Sequence, residues 1–231
     1  MKIPIGGMMK FSTIDFPGVL SCVLFVRGCD LDCFYCHNRG LLSPGENLPW
    51  EEVLAFLQKR RGMLDGVVVS GGEPTLYPEL PQLLETLRSL DYRVKLDTNG
   101  LKPRAVEELI AQKLVDYVAV DWKAPREAFG SVCGGAPEDQ DRVRETLELL
   151  AGSGIPFEAR TTLYPGLEAG ELLELARTLP PLPRYRLNYY RHPQEFREAD
   201  AARLDRHALT PDEVKLLRAG LLEAQPNCIL E

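Results

Sequence analysis

The chain has 231 residues, 45% of them hydrophobic and 26% charged, enough for one sizeable core. Its net charge of −7 argues against a nucleic-acid partner, because phosphate neutralisation needs clustered cations. The longest apolar run, VLSCVLFV, is too short to cross a bilayer, and MKIPIGGMMKFSTIDFPG lacks the apolar stretch of a signal peptide. No membrane association and a cytoplasmic location with reduced thiols are therefore expected.

Taken in chain order, six short runs read as strands: SCVLFVRG (21–28), GVVVSG (66–71), YRVKLDTN (92–99), YVAVDWK (117–123), FEARTTL (157–163) and RYRLNYY (184–190). The first, second and fourth are apolar on both faces, as parallel strands covered on each side should be. Amphipathic helices fill the gaps. Trp50, Val53, Leu54 and Leu57 form one stripe, and Leu80, Leu83, Leu84, Leu87 and Leu90 another. QKRR (58–61) ends the first of these helices, where cations suit the dipole. A capping box of Thr210, Pro211 and Glu213 opens the last helix. Six βα units in series predict an α/β fold, a partial (β/α)6 TIM-like barrel of parallel strands. It would form one domain over 1–231, with residues 1–20 as an N-terminal lead-in. A flat doubly wound sheet is the alternative.

The chemically unusual residues follow the strands. The cysteine loop follows the first strand, SGGEPT the second, DTNG the third and DWKAP the fourth, while Arg160 lies on the fifth and NYYRH ends the sixth. In a barrel these strand ends converge on one mouth, where catalytic groups collect.

The loop RGCDLDCFYCHN sets Cys29, Cys33 and Cys36 at a spacing of four and three. Clustered cysteines in a reducing compartment serve as metal ligands or redox groups. Three thiolates suit a 4Fe–4S cluster with one iron left open, since such a cube is ordinarily held by four cysteines. A zinc site would need a fourth ligand. His37 is adjacent to Cys36 and poorly placed for that, and Cys22 reads as a buried thiol on a strand. Cys133 and Cys228 stand alone and read as inert, and His192 and His207 as solvated.

Cys29-x3-Cys33-x2-Cys36, with Tyr35 before the last cysteine and Gly71-Gly72-Glu73-Pro74 after the next strand, resembles the signature of the radical S-adenosylmethionine superfamily. The series STIDFPG, GCDLDCFYCHN, SGGEPTL, DTNG, DWKAP and RTTLYPG is similar to the glycyl-radical-enzyme activating enzymes. The activating proteins of anaerobic ribonucleoside-triphosphate reductases match best.

This resemblance implies an oxidoreductase with a 4Fe–4S cluster on Cys29, Cys33 and Cys36 that reductively cleaves S-adenosylmethionine. The resulting 5′-deoxyadenosyl radical would take a hydrogen from a glycine Cα in a partner glycyl radical enzyme. It gives Gly71, Gly72, Glu73 and Pro74 to the methionine amino group, and Lys123 and Arg160 to its carboxylate. Tyr35, Asn38 and Asn99 would border the cofactors. Asp97, Thr98 and Asp121 would meet the ribose or a monovalent cation. A flavodoxin or ferredoxin would supply the electron. Trp122 stands where the family carries an aliphatic residue, so it either packs or shapes the substrate opening. A small-molecule or peptide-modifying radical enzyme, such as a 7-carboxy-7-deazaguanine synthase-like protein, is the alternative. A non-catalytic zinc or electron-carrying module is a third.

Overall fold

The computed structural model describes residues 2–230, so Met1 and Glu231, the ends of the expected 1–231 domain, lie outside the described residues. The chain gathers into two compact units. One comprises Met1–Asp30, Gly40–Thr98 and Lys102–Ala119, the other Leu31–Arg39, Asn99–Leu101 and Val120–Glu231.

The first unit contains strands β1 (Ile5–Ser12), β2 (Ser21–Val26), β3 (Gly66–Gly71) and β4 (Arg93–Thr98), and the start of β5 (Tyr117–Asp121). Helix α1 (Trp50–Arg60) links β2 to β3, α2 (Leu80–Ser89) links β3 to β4, and α3 (Pro103–Ala111) follows β4. β2, β3 and β4 run parallel, with Val23 beside Val68 and Val69 beside Leu96. The valines of β3 are wholly buried because helices and loops cover both faces. Leu80, Leu83, Leu84 and Leu87 of α2 point inward as the heptad-like spacing predicts, each contributing roughly 2 kcal/mol of apolar burial. Under β2 lies a knot of Phe16, Val19, Val23, Val68 and Tyr117.

The expected lead-in is itself structured: β1 pairs antiparallel with β2, with irregular register near both ends. Its IGGMMKFS sequence has Ile5 as its one β-branched residue and no alternation to announce a strand, so hydrogen bonding to β2 rather than intrinsic preference makes it one.

The second unit holds the end of β5, then β6 (Phe157–Leu163), β7 (Tyr185–Tyr189) and the two-residue β8 (Cys228–Ile229). β6, β7 and β8 are parallel. Its helices are α4 (Phe129–Cys133), α5 (Pro137–Ser153), α6 (Ala169–Arg177), α7 (Ala201–Leu204), α8 (Pro211–Leu216) and α9 (Arg218–Ala224). The capping box on α8 forms as expected. Thr210 Oγ1 accepts from the Glu213 N–H at 3.3 Å, and Glu213 accepts from the Thr210 N–H at 2.8 Å. Trp122 settles as packing. It is fully buried, its indole N–H donates to the Leu175 carbonyl at 3.1 Å, and the Arg144 guanidinium lies 5.9 Å from its ring. All six expected strands are present, and the parallel α/β pattern holds within each unit.

Candidate active site

In the first unit, the residues before the cysteine loop and the Gly-Gly-Glu-Pro turn are built together. The Gly72 N–H donates to the Val26 carbonyl at 2.8 Å and the Glu73 N–H to the Gly28 carbonyl at 2.7 Å, so the backbone next to Cys29 is tied to the turn. Gly72 is obligatory here, because a Cβ would stand 1.9 Å from the Gly28 oxygen. Gly71 has φ +117°, a conformation that only glycine adopts without strain. Both glycines thus serve this close backbone approach. Glu73 is fully buried. Its Oε1 accepts from the Thr75 N–H at 3.0 Å, the Thr75 hydroxyl at 2.6 Å and the Thr98 hydroxyl at 2.8 Å. The carboxylate therefore caps the Pro74–Leu76 turn and joins it to the end of β4. Asp97 receives Lys95 Nζ on Oδ1 at 2.7 Å and the Ser70 hydroxyl on Oδ2 at 3.1 Å.

In the second unit, the cysteine loop is pinned to the end of α4. The Asp32 N–H donates to the Cys133 carbonyl at 2.8 Å and the Phe34 N–H to the Val132 carbonyl at 3.1 Å. The Arg39 guanidinium holds the Cys33 carbonyl at 2.8 Å and pairs with Asp32, which Arg197 also contacts. Tyr35 is buried and stacks on Tyr164 at 5.2 Å between centroids, while Arg203 sits 3.8 Å over the ring of Phe34.

The Cys33 thiol is lowered to about 7. A hydrogen bond from the buried Cys133 thiol does most of this, and the Lys123 charge helps against the opposing cost of burial. Cys133 is correspondingly pushed up by that bond and by burial. Burial also raises Cys36, although the Asn38 N–H reaches its sulfur. Cys22, wholly buried in β2, is pushed up to about 12 by burial, as a structural thiol should be. His37 is exposed.

Asp121, Lys123 and Arg160 form a tight trio. Lys123 Nζ donates to Asp121 Oδ2 at 2.8 Å, while Arg160 Nε and Nη2 both donate to Oδ1 at 3.1 and 3.0 Å. Burial would raise Asp121, but the two cations outweigh it and hold the carboxyl at about 2. Burial would lower Lys123, but Asp121 and then the neighbouring Cys33 keep it above its ordinary value. The trio carries one net positive charge and remains partly open to solvent. Asn99 is buried and closes a turn, accepting from the Leu101 N–H at 3.0 Å.

Two neighbours of the site are not announced by the sequence. Cys133 is buried, as a lone inert thiol should be, and its thiol lies against Cys33; nothing in SVCGG signals this, because only folding brings α4 to the loop. Lys95 belongs to none of the motifs, although a charged side chain in step with Asp97 in VKLDT is a usable signal. Among the described residues, no group of three or more His, Cys, Asp and Glu side chains converges to hold a single metal ion.

Residues 23–179 match the Radical SAM superfamily, and the chain belongs to that superfamily. Three relatives sharpen the comparison. A protein of Methanocaldococcus jannaschii, provisionally named a glycyl-radical enzyme activating enzyme, is 31% identical over 210 residues, covering 87% of this chain and 83% of its own. The 7-carboxy-7-deazaguanine synthase of Hyperthermus butylicus is 30% identical over 197 residues, covering 75% and 83%. The pyruvate formate-lyase-activating enzyme of Clostridium pasteurianum is 35% identical over 162 residues, covering 67% and 66%. Among solved structures, TYW1 with a bound lysine–pyruvate adduct superposes with a TM-score of 0.61 at 20% identity, over 89% of this chain and 73% of that one. This shows a shared fold. Among the described residues no helix is long and apolar enough to cross a membrane.

The superfamily implies a 4Fe–4S cluster and S-adenosylmethionine, and the residues present fit both. The loop supplies three cysteines, one with a thiol lowered to about 7 and so readily deprotonated for metal binding. Lys123 and Arg160, both beside Asp121, are of the residue types that bind a carboxylate.

Proposed function

We propose that the chain is an activating enzyme that removes one hydrogen from a glycine Cα of a glycyl radical enzyme, and that this partner is an anaerobic ribonucleoside-triphosphate reductase. The observation that carries the reading is the likeness to the M. jannaschii relative across 87% of the chain. The ordered motifs from STIDFPG to RTTLYPG support it.

Cys29, Cys33 and Cys36 would hold the cluster, which when bound supplies the electron that cleaves the sulfonium of S-adenosylmethionine. The chain's part is to bind, orient and exclude. Lys123 and Arg160 would take the cofactor's carboxylate. Asp121 orients both cations, with its own charge offset by only one of them. The Gly71–Pro74 backbone would receive the amino group, with Glu73 holding that turn rigid. Tyr35, Asn38 and Asn99 would border the cofactors. A flavodoxin or ferredoxin would donate the electron.

The test is to mix the reconstituted protein anaerobically with the reductase, S-adenosylmethionine and a reductant, and to record electron paramagnetic resonance. A glycyl doublet on the reductase is expected. Cleavage of S-adenosylmethionine without that doublet removes the reductase as partner. The relative from H. butylicus favours a second reading, a 7-carboxy-7-deazaguanine synthase-like enzyme. Formation of that deazapurine by the purified protein would establish it.

A further inference from the structure

The resemblance assigns Asp97, Thr98 and Asp121 to a monovalent cation, and the geometry of these residues does not fit one. Asp97 is met on Oδ1 by Lys95 Nζ at 2.7 Å and on Oδ2 by the Ser70 hydroxyl at 3.1 Å. The Thr98 hydroxyl is turned to Glu73 at 2.8 Å. Asp121 is held on both oxygens by Lys123 and Arg160.

We propose that the Lys95 ammonium stands at Asp97 in place of a metal cation, so that this chain works without bound potassium or sodium. The inference rests on the radical S-adenosylmethionine reading above. Lys95 is 1% exposed, a burial that lysine accepts only with a partner. It lies two residues before Asp97 on the same face of β4, so the strand itself sets the pair in register. The ring of Tyr117, 5.8 Å from Nζ, gives the ammonium a second favourable face. A metal ion on the same carboxylate would place a second positive charge beside a buried first one, where little water screens the repulsion. A cation that is part of the chain also cannot be lost by dilution.

The holoprotein is exchanged into chloride buffers whose only monovalent cation is potassium, sodium or tetramethylammonium. Binding of S-adenosylmethionine is then titrated. Wild-type affinities that agree within about twofold support the proposal, and a loss of about fivefold or more in tetramethylammonium overturns it. In Lys95→Ala, affinity recovered about fivefold by potassium or sodium supports it, since the vacated carboxylate then takes a metal ion. The same indifference to salt in a folded Lys95→Ala overturns it. If the variant does not fold, the wild-type comparison decides.

A holoprotein that binds no S-adenosylmethionine in any buffer refutes the functional reading instead. Thermal unfolding of the cluster-free wild-type chain in the three salts then decides the present point. Equal midpoints support it, and a rise of about 3 °C in potassium or sodium over tetramethylammonium overturns it.

Discussion

Asp97 and Asp121 each lie at the end of a parallel strand, and each has a lysine two residues away, yet they are built for opposite ends. Asp97 meets Lys95, with side chains 11% and 1% exposed. Asp121 meets Lys123 and Arg160, in a setting where the carboxylate is 30% exposed. The first pair is sealed. The second trio is more open to solvent. Sequence spacing is the same in both, whereas exposure differs, and exposure is what a ligand-facing carboxylate needs.

The broadest way to break this distinction between closed and open sites is to carry it to sulfur. Cys33, itself buried, is the expected cluster ligand, and Cys133, wholly buried against it, is a supporting thiol. Cys33→Ala is expected to abolish iron retention after anaerobic reconstitution, from about four irons per chain to almost none. Cys133→Ala is expected to keep its iron, since it removes only a hydrogen bond to the ligand sulfur. Equal iron in the two variants would erase the distinction.

Next in size is the cost of opening the sealed pair. Lys95→Met leaves a buried carboxylate without its ammonium, which costs about 3–5 kcal/mol. Lys123→Met leaves Asp121 still paired with Arg160, and about 1–2 kcal/mol is expected. Urea denaturation of the two cluster-free variants measures the difference directly. If both fall by the same amount, the two carboxylates are structurally equivalent and the contrast fails.

Much of this was legible before the structure. Valine-rich runs mark β2, β3 and β5 because parallel strands covered on each side are apolar on both faces, and the leucine spacing of α2 could bury only one way. The cysteine spacing and the turn after β3 were equally open to view. What the sequence hid is non-local. β1 has no pattern of its own and becomes a strand only through β2. Cys133 acquires its role from the backbone bonds that bring α4 to the loop. Glycines 71 and 72 were legible as close-approach positions, but the approach they permit is by the backbone of Val26 and Gly28. Trp122 could be read either way until its indole was seen to bond Leu175.

The pH dependence of stability sharpens the comparison from the side of Asp121. Its carboxyl is held at about 2 in the folded protein against an ordinary value of 3.8. A depressed carboxyl stabilises the fold above its unfolded value, and that contribution is lost as pH falls from about 4 through 2. The loss amounts to roughly 2 kcal/mol. Denaturant titrations of the cluster-free protein at pH 5, 4 and 3 should show the decline beginning, with Asp121→Asn weaker at pH 5 and flatter below it. A variant whose curve parallels the wild type would mean that the two cations do not act through this carboxylate.

The smallest effect expected is also the most specific to the open site. Arg160 grips Asp121 through two nitrogens on one oxygen, a contact that its planar fork makes and a lysine could not reproduce. Lysine at this position keeps the charge but loses the fork. Arg160→Lys should therefore weaken S-adenosylmethionine binding about tenfold, or about 1.4 kcal/mol, with iron content and unfolding midpoint little changed. The matched change in the closed pair, Lys95→Arg, should instead act on stability, because the larger guanidinium has no room in a side-chain site only 1% exposed. Affinity lost in the first variant and stability lost in the second would separate the two sites by function. The reverse result would mean that exposure is the wrong guide to which aspartate faces the cofactor.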